Sequence, residues 1–432
     1  MKRISFIAAI AVIIALLSVF PASAAGADVW DGTFPTADKN GKYSGGEGTE
    51  ESPYLISSAA DLAMLSSVTA AGESYEGKYF MITTDITLNS DHAGYAGWGT
   101  TPPKNAWRAI GENVGNKVSG GSFAGHINGA GHVIRGMYVN DESSGWDKAA
   151  AGFIGCLRGS VINLGFENCY VKRNNTAGNG AGIIVTYLGH TGSTLRGNIT
   201  ACYVKNCTVE SWRCPGLIAG VVYSGRISDC FSEGHVVIGR TDKEADGGGI
   251  AGMISAKELG EIKNCYTLAA MNDAPVTGPV VGNVSGLGTV ENAYYDPAIS
   301  TVNKAYIAND AKDYVAVTPL AKAEMKVQAM KLDANVWKDT AGTPVLKVFG
   351  SSGNQGGNKP TPPTADGIPA VITVIAAAGA VAVLTAKKRT HLRVPVPERG
   401  GEKKERKIYE KENYSAAHRR RNACACRGIC RL

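Results

Sequence analysis

The sequence predicts an all-β protein built as a stack of short coils, a parallel β-helix, and three observations carry that reading. A Gly-rich apolar run followed by an Asn-Cys-Tyr-like triplet recurs: Ala150–Gly155 before Asn168-Cys169-Tyr170, Gly216–Gly220 before Asp229-Cys230-Phe231, and Gly248–Gly252 before Asn264-Cys265-Tyr266. A weaker copy places Val280-Val281-Gly282 before Asn292-Ala293-Tyr294. Self-similarity at about 25 to 35 residues marks units too small to bury an apolar face alone. Short strand-like segments broken by Gly and Asn, with no long helical pattern, allow either an antiparallel sandwich or a β-helix. Repetition of one triplet favours the stack, because coils that pair in parallel set each copy about 4.8 Å above the last.

The elements follow in order. Met1-Lys2-Arg3, an apolar run from Ile4 to Phe20 and Ala22-Ser23-Ala24 read as a secretory signal peptide over residues 1–24. Residues 25–100 are expected to form an N-terminal capping region with a short helix, because Ser58 and Asp61 make a capping-box-like start. Residues 101–300 are assigned to the coils and 301–349 to a C-terminal capping segment. A Gly, Ser and Pro-rich linker fills 350–363. Residues 368–386 carry no charge and end at Lys387-Lys388-Arg389. Such a length spans about 28 Å as a helix, enough to cross a bilayer, with the basic side in the cytoplasm. Residues 390–432 read as a basic tail that does not fold, and its Cys424, Cys426 and Cys430 lack zinc-site spacing.

The whole chain carries a net charge of +6. Without the +10 of residues 387–432 and the +2 of Lys2 and Arg3, residues 25–386 hold about −6. Nucleic-acid binding needs a basic folded face and is not expected.

Two stretches resemble known families. Just ahead of the apolar span, Thr361-Pro-Pro-Thr-Ala365 resembles the Leu-Pro-x-Thr-Gly sorting signal of Gram-positive wall proteins, departing from it at Thr361 and Ala365. The resemblance implies a sortase that cuts between Thr364 and Ala365 and joins the protein to peptidoglycan within a sorting segment over 364–389. Residues 45–86, with Ala59-Ala-Asp-Leu62 and Tyr79-Phe80, and then Phe123-Ala-Gly-His-Ile-Asn-Gly129, resemble the opening of bacterial surface proteins with GLUG repeats. Phe153-Ile-Gly155 and Gly216–Gly220 stand close to the tetrapeptide that names them. This likeness, over about residues 43–348, implies a right-handed parallel β-helix with an adhesive or wall-interacting role. Some GLUG proteins carry a zinc protease domain, but no His-Glu-x-x-His occurs here.

Few residues are arranged for chemistry. Cys169, Cys202 or Cys207, Cys230 and Cys265 occupy equivalent places in their repeats and read as one column of buried thiols, with disulfides between coils the alternative. Asp242, Glu244 and Asp246 match the first half of an EF-hand loop but Met253 stands where its bidentate Glu belongs, which leaves a weak Ca²⁺ candidate. His126 and His132 lie close in sequence with glycines between them. Trp98, Trp107, Trp146, Trp212, Tyr187, Tyr223, Tyr294 and Tyr295 are the rings on offer for sugar stacking. The expected function is therefore a non-enzymatic, surface-anchored scaffold that binds host, matrix or cell-wall protein or glycan ligands, with a purely structural wall component as a variant. A polysaccharide lyase or glycosidase is the alternative, and Asp242, Glu244 or Asp246 meeting Arg or His of an adjacent coil would favour it.

Overall fold

The computed structural model describes residues 29–36, 41–112, 121–143, 150–173, 180–190, 194–241, 246–272, 276–300, 306–307 and 315–350. They are mostly β, with large parallel sheets in which each strand pairs with its equivalent one coil earlier and one coil later. Five strand columns run along the stack. Column 1 contains Tyr54–Ile56, Tyr79–Ile82, His126–Asn128, Ser160–Ile162, Gly197–Thr200, Gly225–Ser228, 260–263 and 288–291. Column 2 contains Ile86–Thr87, Val133–Arg135, Gly165–Glu167, 203–205, 231–232, 266–267 and 294–295. Column 3 contains Tyr138–Asp141, Tyr170–Arg173, 208–211, 235–238 and 270–271. Column 4 is glycine-rich, with Ala181–Gly182, Pro215–Gly216, Asp246–Gly248 and Val276–Gly278. Column 5 contains Ile154–Leu157, Val185–Leu188, Ala219–Val222, 251–254, 281–284 and Tyr306–Ile307.

The core is a set of ladders. In column 1 the inward row runs Phe80, Ile127, Val161, Ile199, Ile227, Ile262 and Val290, every one at most 1% exposed. Adjacent residues point outward, as the two-residue strand period requires. The recurrent glycine of each apolar run has a steric cause: a Cβ on Gly216 would lie 2.6 Å from Ala251 Cα and 2.5 Å from Gly252 N, in the next coil. Only glycine lets the backbones approach so closely there.

The helix α1 (Ala59–Ala70) has Ser58 at its N-cap, whose hydroxyl accepts from the Asp61 amide at 3.1 Å. The N-terminal region is more than a cap, because Tyr54–Ile56 and Tyr79–Ile82 already pair in column 1. The C-terminal segment also departs from a simple end cap. Residues 315–319 continue the last coil, and residues 320–350 then turn back along the flank of column 2. There Tyr203, Phe231 and Tyr266 stack face to face at 5.1 Å, with interplanar angles of 5° and 4°. Trp337 leans on Phe231 and Tyr266, and Phe349 packs edge-on to Tyr203. Tyr266 Oη donates to the Pro344 carbonyl at 2.7 Å. A column of rings facing outward cannot be left wet, and the returning segment covers it. Among the described residues no helix is long and apolar enough to cross a membrane; the 368–386 span, the linker and the tail lie outside them.

Trp337 is 1% exposed, so Trp337→Ala is expected to destabilise the flank by about 3–5 kcal/mol. A urea titration followed by tyrosine fluorescence and dye binding should show a lowered first midpoint with newly exposed apolar surface, because repeat stacks unfold in parts.

Candidate functional site

At the corner between columns 1 and 2 the chain turns through a residue with positive φ: Asn163 at 56°, Ala201 at 52°, Asp229 at 52°, Asn264 at 54° and Asn292 at 52°. Asn and Asp tolerate this left-handed conformation better than other side-chain-bearing residues. The next residues are Cys202, Cys230 and Cys265, which stack in successive coils. Asn168 and Asn206, at 54° and 51°, turn the chain at the following corner, between columns 2 and 3, and precede Cys169 and Cys207. The single thiol column expected from sequence is therefore two, and Cys202 and Cys207 each take part, in the same coil. The physical reason is that one local device serves any corner. Each thiol donates to the carbonyl two residues back, at 3.3 Å for Cys169 and Cys202, 3.2 Å for Cys207 and 3.1 Å for Cys230 and Cys265.

All seven cysteines in the described residues are free and 0% exposed. Burial pushes the Cys156 thiol up to about 12, and burial raises Cys207, Cys214 and Cys230 well above the usual thiol value. A thiolate nucleophile is disfavoured at such sites.

Asp246 lies in column 4 at 1% exposure. Its carboxylate accepts from Arg213 Nε at 3.2 Å, from Asn283 Nδ2 at 3.1 Å and from Cys214 Sγ at 3.7 Å. Burial raises its pKa, opposed by those same partners. The two carboxylate oxygens are thus directed at a cation and an amide from the coils on either side. Asp242 and Glu244 lie outside the described residues, and among the described residues no three His, Cys, Asp or Glu side chains are placed to hold a metal. As a Ca²⁺ ligand Asp246 would have to exchange its bond to Arg213 for the metal.

The two histidines separate. His126 sits in column 1, where its Nδ1 lies 2.9 Å from Ser160 Oγ and its ring stacks on Tyr79 at 4.6 Å. His132 faces Asp85 at 3.1 Å. The His132 hydrogen bond, helped by Arg135 and the Val133 amide, holds the Asp85 carboxyl well below the usual range. Arg135 continues to Glu167 at 3.0 Å, and Tyr203 Oη donates to Glu167 at 2.7 Å. Of the rings considered for sugar stacking, Trp98, Trp107, Tyr187, Tyr294 and Tyr295 are at most 8% exposed. Tyr223 and Trp212 are half-buried, and Trp146 lies outside the described residues.

Sequence reasoning missed the charge ladders. Arg135 over Glu167, Asp141 over Arg173, Lys172 over Glu210, Arg226 over Glu261 and Lys263 over Glu291 are all in-register neighbours in adjacent coils. All five are ion pairs, between 2.6 and 3.5 Å. The alignment of opposite charges at equivalent repeat positions was the signal that would have revealed them.

The protein defined so far is a parallel β-sheet solenoid whose polar groups are largely satisfied coil to coil. No protein-family model matches the chain. It is similar to a provisionally named Gly-rich membrane protein of Evansella cellulosilytica, 31% identical over 131 residues, covering 30% of this chain and 12% of that protein. It is also similar to halomucin of Haloquadratum walsbyi, 30% identical over 164 residues, covering 37% of this chain and 2% of that protein. The matches thus span a small part of these relatives' lengths. A solved structure provisionally described as an immunoglobulin A1 protease from Bacteroides ovatus aligns with a TM-score of 0.48 and 24% identity, over 71% of this chain and 95% of that one.

Two measurements test these assignments. Iodoacetamide at about pH 8 is expected to leave Cys156, Cys169, Cys202, Cys207, Cys214, Cys230 and Cys265 unmodified in the folded protein and to label them after denaturation, as read by peptide mass mapping. Burial also raises the pKa of Asp229, against hydrogen bonds from Trp337 and Asn264. A carboxyl raised on folding is neutral in both states at low pH and weakens the fold as pH climbs past its unfolded value. Asp229→Asn keeps the acceptor and suits the positive φ, so it should raise the thermal midpoint at pH 7 and leave it unchanged near pH 3, below the usual Asp value of about 3.9.

Proposed function

We propose that this protein is an exported, surface-anchored scaffold whose solenoid is a right-handed parallel β-helix of the GLUG-repeat type and whose role is adhesive and non-enzymatic. The handedness follows the rule for parallel crossovers. The observation that carries the functional reading is the use made of the ionisable groups: in five ladders each charge is matched to the coil above or below, in register. Such side chains hold the stack of coils together and serve structure rather than chemistry. The names of the two similar proteins, a Gly-rich membrane protein and halomucin, support a place at the membrane or cell surface.

Anchoring rests on the sequence from Thr361 onward. A sortase would cut between Thr364 and Ala365 and attach the protein to peptidoglycan; without that cut, the apolar span 368–386 would hold it in the membrane of a Gram-positive-type cell. The ligand would be an extracellular protein or glycan.

One observation favours the enzymatic alternative, a lyase or glycosidase on extracellular glycans: Asp246 does meet Arg213 of the neighbouring coil. Burial argues against it, because a substrate has no path to a carboxylate that is 1% exposed and bonded on both oxygens. If the pair is catalytic, Asp246→Asn will abolish release of reducing ends from a polysaccharide panel; if it is structural, the substitution leaves any such release unchanged and moves only the unfolding midpoint.

The functional reading predicts that protease added to intact cells digests the protein and that deleting the gene lowers adherence to a glycan- or matrix-coated surface; an intracellular, protease-protected chain would overturn it. The intact mass of the surface form is expected to correspond to a mature N-terminus at Ala25 and a C-terminus at Thr364, and a chain that retains 368–386 would remove the sortase step.

A further inference from the structure

We infer that the returning segment, residues 321–350, is a tension-released strap: a pull between the anchor and a ligand held by the coils peels it off column 2 before any coil opens, and it folds back when the pull ends. This rests on the surface-anchored reading above and adds how the protein bears force.

Connectivity sets the path of the force. Both anchors proposed above, the sortase link at Thr364 and the 368–386 span, lie C-terminal to Gly350, so a pull between anchor and coils enters the described fold at that residue. The strap begins beside a late coil, where the Leu320 amide donates to the Tyr295 carbonyl at 2.9 Å. It ends beside an earlier one, where Phe349 packs on Tyr203. Tyr203, Phe231, Tyr266 and Tyr294 are successive in-register residues of column 2. The exit therefore lies about 14 Å back along the stack from the entry, at about 4.8 Å per coil. Tension at Gly350 meets the Phe349 contact first.

The two kinds of attachment differ in strength. Coils are joined by backbone ladders; one runs from Ala251 paired with Val281 to Thr267 paired with Tyr295. Separating two coils breaks many backbone bonds together and wets the core. The strap has no such ladder to the coils. Among the described residues no backbone-to-backbone hydrogen bond joins 321–350 to them, and Trp337–Lys338 pairs with Val345–Leu346, inside the strap itself. Its bonds to the coils are scattered: the Lys322 amide to the Asp296 carboxylate at 3.2 Å, Asn292 Nδ2 to the Lys331 carbonyl at 3.5 Å, Trp337 Nε1 to Asp229 at 3.4 Å and Tyr266 Oη to the Pro344 carbonyl at 2.7 Å. Met325, Met330, Trp337 and Leu346 join the column 2 rings in an apolar cluster separate from the coil core. These contacts can fail one after another while the ladders stay shut. Peeling wets Tyr203, Phe231 and Tyr266, and reburial of those rings draws the strap back. Residues 321–350 reach about 100 Å when drawn out, so their release lengthens the molecule by about 85 Å before a coil is disturbed.

The test is optical-tweezers stretching of the purified full-length chain in detergent, with click-chemistry handles at exposed Glu51 and at Ser351. The expected trace has a first step of about 85 Å, at lower force than every later step and reversed on relaxation. Moving the second handle to exposed Thr318, ahead of the strap, is expected to remove that step and keep the later ones. Trp337→Ala is expected to shift it to lower force. A first step that survives the handle at Thr318, strap and coils that open together, a step that does not reverse, or a release force unchanged in Trp337→Ala overturns the proposal. Protease treatment of intact cells reads the surface location separately. A protein digested there whose strap does not yield first keeps its scaffold role and loses only this device; a chain protected inside the cell bears no such pull and loses both.

Discussion

Everything in this molecule depends on parallel coil-to-coil register. Equivalent residues in column 1 lie 38, 28, 35 and 28 residues apart from Val161 to Ile199, Ile227, Ile262 and Val290, yet they remain directly stacked. The variation is absorbed in the turns, where no ladder has to be maintained. Because register is kept, each side chain has as neighbours the occupants of its own position in the coils above and below. Apolar positions become ladders, aromatic positions become stacks, and turn positions become columns of Asn and Asp with positive φ. A parallel sheet buried on its inner face leaves no freedom to slip by one residue, since a slip would turn Val161 and Ile199 outward.

Much of this was legible before the structure, and the exceptions have identifiable causes. The repeated Gly runs announced the close approach of columns 4 and 5, and Ser58 with Asp61 announced α1. The Asn-Cys-Tyr triplet was read as one column because Asn168-Cys169-Tyr170 and Asn264-Cys265-Tyr266 are identical in sequence. Their identity reflects a shared local device, a left-handed residue followed by a thiol that satisfies the carbonyl two residues back, and local sequence does not say at which corner it is used. Cys202 and Cys207 in a single coil were the available hint. The covering of column 2 was beyond any local reading, since Trp337 reaches Asp229 across 108 positions of sequence, at 3.4 Å. Tyr203, Phe231 and Tyr266 look like core residues by type, and only the strand period places them outside, where they need the returning segment. At the site level, Asp246 was legible as part of an acidic cluster, but its partners Arg213 and Asn283 lie in other coils and carry no sequence motif.

The thiol columns and the glycine column are two answers to one problem. Where coils turn, backbone carbonyls lose their ladder partners, and an unsatisfied buried carbonyl is expensive. A thiol is small enough for the corner and still donates a weak hydrogen bond. At the tighter approach between columns 4 and 5 even a Cβ is excluded, as at Gly248, where it would lie 2.6 Å from Val281 Cα. The residues that look most reactive in the sequence are therefore explained by packing, and their free state in the fold is consistent with that role.

The charges obey the same register. In a stack with a spacing of about 4.8 Å, like charges at one position repel in every adjacent pair of coils, so an ionisable position is tolerable only if its neighbour carries the opposite sign or none. Arg226 over Glu261 and Lys263 over Glu291 satisfy this, and each such surface pair contributes only about 0–1 kcal/mol. Their larger effect is on register: a two-residue slip of one coil would set Arg226 over Lys263 and turn attraction into repulsion. The same alternation sets opposite signs side by side in the last coils of column 1. Charge and register are thus set by the same residues, since Arg226, Glu261, Lys263 and Glu291 all stand on column 1.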